Sequence, residues 1–441
     1  MSNVSTSPPP SMRKVALDSF AGALMEWYDF FLFGTAAALV FGKVFFPGSD
    51  PAFSTIQAFA TFGVGFVARP LGGIFFGHLG DRVGRKKTLI ATLAIVGSCT
   101  FLIGLLPSHA AAGVWAPILL VILRLGQGFG LGGEYGGAAL MVVEHAPAEK
   151  RGFWGSIPQA SASTAILLST GAFALVSLLP DDQLYSWGWR IPFLISVALL
   201  GIGLFIRSKI SETPDFEQVK HEGQVARVPL VQVFRGGSAR TVLVTLGARL
   251  AETVTSNLGN AFAISYISGT LLLGDTVPLN AMLVAAAIGI VVTPIFGAIS
   301  DRVGRKPVYL AGALFVVVAG FPFFMLLNTK STALICVALI GMYVFGNTLM
   351  FAAQATYFTE LYGTNVRYTG LSLAFQGSAL IGGLMPFTAA WLLKAGGGAP
   401  WLVAGMLVLT ALITTGCLLV TKETHRPGAA RHAQPAEPVA S

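Results

Sequence analysis

Apolar stretches of about 20 residues follow one another along almost the whole chain, and each can cross a hydrocarbon core of about 30 Å as one helix. Of the 441 residues, 54% are hydrophobic and only 11% charged, against about 25% charged in soluble domains. The stretches fall at about 16–42, 54–79, 88–107, 116–143, 153–179, 190–210, 241–272, 280–299, 308–327, 332–358, 369–395 and 401–421. The expected fold class is an all-α polytopic membrane protein with twelve transmembrane helices in two six-helix halves. A net charge of +8 does not point to nucleic acid, because the basic residues are spread over short segments between spans. Cys99, Cys336 and Cys417 lie in different apolar runs and give neither a disulfide framework nor metal spacing. No His/Cys/Asp cluster has metal-ligand spacing and no Walker-type loop offers a phosphate site, so no metal or cofactor is expected.

The halves are read from a repeat. Asp81-Arg82-Val83-Gly84-Arg85-Lys86 returns letter for letter as Asp301-Arg302-Val303-Gly304-Arg305-Lys306, with Gly77 and Gly297 each four residues ahead. A second echo supports it: Glu144 precedes Arg151 by seven residues, and Glu360 precedes Arg367 by seven. These are parallel repeats about an axis along the membrane normal. The boundaries expected are a 1–15 N-terminal segment, a 16–210 half, a polar 211–240 linker, a 241–421 half and a 422–441 tail. Of the 28 Lys and Arg, four (Lys43, Arg190, Lys330, Lys394) fall between spans on one side and three (Arg69, Arg124, Arg249) within spans; the other 21 share the opposite side. Basic segments stay in the cytosol, so both termini and both hexapeptides are expected there, in an inner or plasma membrane. Retention needs charge alone and would not need Asp and Gly at fixed offsets. Gly77, Asp81, Arg82, Gly84, Arg85, Lys86, their partners Asp301, Arg302, Gly304, Arg305, Lys306, and the pairs Glu144/Arg151 and Glu360/Arg367 are therefore expected to gate conformational change as well.

Several of these residues carry a resemblance. Gly77-x-x-x-Asp81-Arg82-x-Gly84-Arg85-Lys86 and Arg124-x-x-Gln127-Gly128 resemble the signatures of the major facilitator superfamily. Glu26-Trp27-Tyr28-Asp29-Phe30, Gly132-Gly133-Glu134-Tyr135-Gly136-Gly137 and Trp187-Gly188-Trp189-Arg190-Ile191-Pro192-Phe193 look like the metabolite:proton symporter family, over nearly the whole chain. That family implies transport of organic acids, shikimate or zwitterionic osmolytes, and a proton-linked role for Arg124.

A charge at a span centre costs about 2.5–3.5 kcal/mol and must face a cavity or a partner. At about 1.5 Å per residue, Glu26, Arg69, Glu134 and Arg249 come out near mid-membrane, with Asp29 and Glu252 one turn beyond. In span seven, Arg249, Glu252, Thr253, Ser256 and Asn260 form one polar face; in span four Gln127 shares a face with Glu134; in span one Asp18, Gly22, Glu26 and Asp29 share a stripe. The stripes converge on a central cavity. Arg69, Arg124, Gln127, Arg249 and Asn260 are the candidate substrate ligands, and Asp29, Glu26, Glu134 and Glu252 the candidate proton carriers. Asp29 ranks first, because Glu134 and Glu252 each have a cation in their own span. Plainer readings stand beside these: Arg249 and Glu252 as a structural pair, Arg124 as a packing organiser, and Arg69 satisfying carbonyls freed by Pro70. The Gly128-x-x-x-Gly132-x-x-x-Gly136 face fits either a moving interface or static close packing.

The function expected is secondary active transport, as proton-coupled symport by alternating access with the proton as the coupling ion. The substrate placed first is a small organic acid such as shikimate, a dicarboxylate or keto acid, or an aromatic acid. Buried Arg residues pair with carboxylates, the tail from Lys422 has no coiled-coil heptads, and Arg249-Leu250-x-Glu252 and Ala261-Phe262-Ala263 resemble shikimate permeases more than osmolyte carriers. Uptake of proline or betaine is the alternative, with an exporter or a non-transporting receptor behind it. An intramembrane enzyme would need a nucleophile–base or metal constellation, which the sequence does not offer. Partners are the acid, the proton and the bilayer, with the chain acting as a monomer.

Overall fold

The computed structural model describes residues 11–48, 50–83, 85–132, 142–209, 238–362 and 367–425, except the side chains at 77, 78, 80–86, 205–209, 238 and 367–369. Glu134, residue 84, the side chains of the first hexapeptide, the Arg367 side chain, most of the expected linker and the tail from 426 lie outside the described residues.

Twelve long helices run through the described residues: α1 (Met12–Val44), α2 (Pro51–Val83), α3 (Arg85–Gly104), α4 (Trp115–Leu131), α5 (Arg151–Val176), α6 (Ile191–Lys209), α7 (238–270), α8 (Thr276–Val303), α9 (Arg305–Asn328), α10 (Thr332–Leu361), α11 (Arg367–Ala395) and α12 (Trp401–Val420). Nine of the described helices are long and apolar enough to cross a membrane on length and composition alone. α4 and α6 are shorter apolar helices. α7 drops out because it carries Arg249, Glu252, Thr253, Ser256, Asn257 and Asn260. It is a helix whose polar face must be covered by its neighbours. Three helices widen locally to π winding, over Ala37–Phe41 in α1, Leu258–Phe262 and Tyr266–Thr270 in α7, and Met342–Thr348 in α10.

Within each half the same pairings recur. α1 packs on α5, α2 on α4 and α3 on α6; correspondingly α7 packs on α11, α8 on α10 and α9 on α12. The halves meet along two seams, α5 against α8 and α2 against α11, which exchange when the halves exchange. At the α5–α8 seam a Cβ on Gly152 would stand 2.5 Å from the Gly297 carbonyl oxygen, and one on Gly297 would stand 2.5 Å from that of Gly152. Only glycine permits that approach. Large apolar side chains such as Leu71, Ile74, Val318 and Leu419 point outward, as a lipid-facing surface requires.

Two readings gain detail. The second hexapeptide forms no separate loop. α8 continues through Asp301-Arg302-Val303, breaks at Gly304 with φ +104°, and α9 starts at Arg305. A single residue in a conformation open to glycine makes the whole turn, so Asp301 stays on the last turn of one helix and Arg305 on the first turn of the next. The α4 glycine face lies inside one half. A Cβ on Gly128 would stand 1.8 Å from the Gly65 oxygen and one on Gly132 2.0 Å from the Arg69 oxygen, so these glycines press α4 onto α2 inside one half.

Candidate functional site

A narrow cavity of about 30 Å³, room for a water or two, lies between the halves. Its walls come from α1 (Trp27, Phe30), α2 (Phe66, Arg69), α7 (Arg249 to Asn257) and α11 (Phe375, Gln376, Ala379). An organic acid is several times larger, so binding requires these walls to part.

Arg249 is 4% exposed and heavily held. One of its terminal nitrogens donates to the Phe375 carbonyl at 3.0 Å and to Ser378 Oγ at 2.8 Å, and its guanidinium lies 4.0 Å over the Phe375 ring. Nε stands 3.5 Å from Glu252 Oε2. Glu252 is also buried; it accepts from Thr253 Oγ1 at 3.1 Å, while Asn347 Nδ2 donates to its backbone carbonyl at 3.1 Å and reaches Oε1 at 3.5 Å. The Gln354 amide satisfies all its neighbours when its NH2 faces Glu252 Oε2 and the Tyr309 hydroxyl, each at 3.1 Å, and its carbonyl accepts from Arg249 Nε at 3.1 Å. Arg249 and Glu252 thus form a pair braced from α10 and α11, yet both still line the cavity.

The N-terminal half is arranged differently. Arg69 on α2 faces the cavity with its guanidinium 4.5 Å over Phe66 and 5.7 Å from Phe30. Arg124, 2% exposed, donates to the Phe62 carbonyl from two nitrogens at 3.4 Å each and to Gln127 Oε1 at 3.1 Å, and stacks 4.1 Å over Phe33. Gln127 in turn donates to Thr100 Oγ1 at 2.6 Å. Buried Asp29 and Arg69 both act on Arg124 electrostatically. Of the expected site residues, Arg69, Arg249 and Glu252 line the cavity; Arg124, Gln127, Asp29, Glu26 and Asn260 do not. Asn260 lies against Gly34 of α1, with its Nδ2 3.4 Å from where a Cβ on that glycine would be.

The second hexapeptide builds a cluster at the end of the α5–α8 seam. Asp301 accepts from the Gly152 and Phe153 backbone N–H groups at 2.8 Å each, placing a carboxylate on the positive N-terminus of α5 across the seam. Arg305, fully buried, pairs with Asp301 at 2.8 Å and donates to Ser300 Oγ at 2.8 Å. Glu360 stands 3.7 Å from Arg305 Nε, too far for a hydrogen bond, so Nε and one terminal nitrogen of Arg305 have no acceptor among the described residues. Glu423, just past α12, caps α9: its two oxygens accept from the Arg305 and Lys306 N–H groups at 2.9 Å each. Lys306 Nζ donates to the Thr421 carbonyl at 2.8 Å, and His425 Nε2 lies 2.9 Å from the Asp301 carbonyl. Arg302 is exposed; Arg151 gives its carbonyl to Thr356 Oγ1 at 3.0 Å; Glu144 is exposed.

Sequence reasoning missed Gln354, Asn347, Asn257, Gln376 and Glu423. The first two were findable as polar residues seven apart on an apolar helix, which places them on one face. Asn257 adjoins the stripe already read.

The comparisons agree with this architecture. The sugar (and other) transporter family matches residues 14–241 and 232–426. A shikimate transporter of Escherichia coli (strain K12) is 42% identical over 419 residues, covering 94% of this chain and 95% of that protein. A proline/betaine transporter of the same strain is 37% identical over 98% of this chain and 86% of its own length. Among solved structures, a proton:xylose symporter superposes with a TM-score of 0.70 at 16% identity, over 94% of this chain and 96% of that one. The chain belongs to the sugar (and other) transporter family of the major facilitator superfamily and is a multi-pass membrane transporter of small metabolites, not an enzyme.

Proposed function

We propose that the protein takes up a small organic acid together with a proton, by alternating access in the inner or plasma membrane. One observation carries this reading: Arg69 from one half and Arg249 from the other face the same cavity. A carboxylate between them is held by both halves at once, as an occluded state requires. The osmolyte alternative is weaker. A quaternary ammonium seeks open aromatic faces, but Phe66 and Phe375 already carry the protein's own guanidinium groups at 4.5 and 4.0 Å.

Glu252 is the proton carrier this geometry favours, ahead of Asp29, because Glu252 lines the cavity and shares Arg249. A substrate carboxylate that takes over Arg249 leaves Glu252 without its cation in a dry site, where the protonated form is preferred. Acid and proton then bind together. The hexapeptide face is the cytosolic one, and each chain works as a monomer with its own cavity.

Proteoliposome uptake tests this. With shikimate as the probe, an imposed inward proton gradient drives accumulation in the unaltered protein. Glu252→Gln abolishes that accumulation and keeps exchange of labelled for unlabelled shikimate. Gradient-driven accumulation by the Gln variant with normal pH dependence rejects Glu252 and returns Asp29 to first place. For topology, a cysteine at Val303, 54% exposed, stays unlabelled by an impermeant thiol reagent outside right-side-out vesicles.

A further inference from the structure

Two residues of the cavity wall carry polar atoms that the acid reading does not use. Asn257, 3% exposed, lines the cavity, and its Nδ2 donates to the Thr253 carbonyl at 2.8 Å. That bond fixes the amide orientation, since turning it would set oxygen against oxygen. Oδ1 is left over, and it has no donor among the described residues. Gln376 lines the same cavity from α11, beside the Phe375 whose carbonyl holds Arg249, and its Oε1 is likewise buried without a donor among the described residues. Buried acceptors are nearly always paired, and leaving one unpaired is unfavourable. Here two acceptors without a donor among the described residues belong to wall residues on two sides of a cavity that Arg69 and Arg249 also line.

We infer that Asn257 and Gln376 are specificity residues that accept hydrogen bonds from substrate hydroxyl groups, so the transporter selects hydroxylated carboxylates over acids of the same skeleton without hydroxyls. This rests on the organic-acid reading and sharpens it. The donors that fit are neutral O–H groups, because Arg69 and Arg249 in the same cavity repel an ammonium. A site built to bond hydroxyls rejects a substrate lacking them far more strongly than an apolar pocket rejects a missing methylene, because the analogue leaves its acceptors unpaired.

The experiment is equilibrium binding to the full-length transporter in liposomes, with shikimate and cyclohex-1-enecarboxylate as probes. The two share ring and carboxylate and differ only in hydroxyls. The expected result is a preference for shikimate of about 100-fold or more. Asn257→Leu and, separately, Gln376→Met each shrink that ratio about tenfold or more, by weakening shikimate while the deoxy acid holds or gains. Equal binding of both acids to the unaltered protein overturns this inference alone and leaves the acid reading standing, with the two oxygens serving water only. Equal loss of both acids in the variants also overturns it, as packing rather than recognition. Binding of neither acid overturns the acid reading and this inference with it. The comparison in the unaltered protein needs no variant to fold.

Discussion

The two ends of the inter-half contact are built from opposite materials. At the hexapeptide end, Asp301 caps a helix of the other half and pairs with a fully buried Arg305, and Glu423 caps the adjoining helix. At the opposite end, Asp50 of the α1–α2 connection meets Lys394 of α11 at 2.6 Å, with both side chains nearly half exposed at 49% and 45%. The pair sits over Phe53, and Asp50 also accepts from the Ala52 N–H at 3.0 Å. Buried, multiply bonded charge is costly to separate, whereas an exposed pair is screened and contributes little. Under the alternating-access reading proposed above, the two ends would act as unequal catches: the hexapeptide side would need a strong trigger to open, and the opposite side would open on small free energies. Rocking between the two would then require substrate binding to act mainly on the hexapeptide side.

The largest effect that would break this contrast is at Asp301. Removing one partner of a buried pair costs about 3–5 kcal/mol, and among the described residues Asp301→Asn leaves Arg305 with Ser300 and a distant Glu360. Transport in proteoliposomes is expected to fall about tenfold or more, that range of energies corresponding to factors well above ten in the closed population. Shikimate binding should persist. Glu360→Gln, removing a contact of 3.7 Å, should fall less. If Asp301→Asn transports like the parent protein, the buried end is not a catch and the contrast fails.

A smaller effect belongs to the tail. Glu423 accepts from four backbone N–H groups, those of Arg305, Lys306, Thr424 and His425. Losing a helix cap costs about 0.5–2 kcal/mol, so Glu423→Ala should slow transport several-fold, between Asp301→Asn and the exposed pair. Thermal unfolding in detergent supplies the second readout, with a lower midpoint than the parent. An Ala variant as damaging as Asp301→Asn would make the tail, not the seam, the main restraint.

Much of this was legible before the fold. Span length and the repeated hexapeptide gave the twelve helices and two halves because hydrocarbon thickness and duplication act on the sequence directly. The α7 stripe exposed Arg249 and Glu252 for the same reason, a 3.6-residue period read on one helix. What stayed hidden depends on pairs of helices. Nothing in the local sequence says that Gln354 bridges Arg249 and Glu252, or that Glu423 caps α9, 117 and 118 residues away from the N–H groups that donate to it. The α4 glycines show the limit most plainly. The pattern says that backbones touch, but the partner was α2 of the same half.

The smallest effect, and the sharpest check on the contrast, concerns Asp50. Lys394 donates a hydrogen bond to its carboxylate and holds it below the usual carboxylate range, itself near 3.9 for an unperturbed Asp, about a typical value. A carboxylate with a lowered pKa contributes its pairing at every pH above the ordinary value and loses it only as pH falls through the lowered one. Between pH 5 and pH 8 (roughly the range in which a proton-coupled carrier is assayed) the Asp50 carboxylate therefore stays ionised. Salt, by contrast, screens it, with a Debye length falling from about 10 Å at 0.1 M to about 3 Å at 1 M. Asp50→Asn should change transport by less than about twofold at moderate salt, leave the pH profile where it was, and remove whatever salt dependence the opposite-face opening shows. The pH dependence that remains in Asp50→Asn then belongs to the buried carboxylates. A pH profile displaced by Asp50→Asn would place a coupling group at the exposed end and invert the assignment of strong and weak sides.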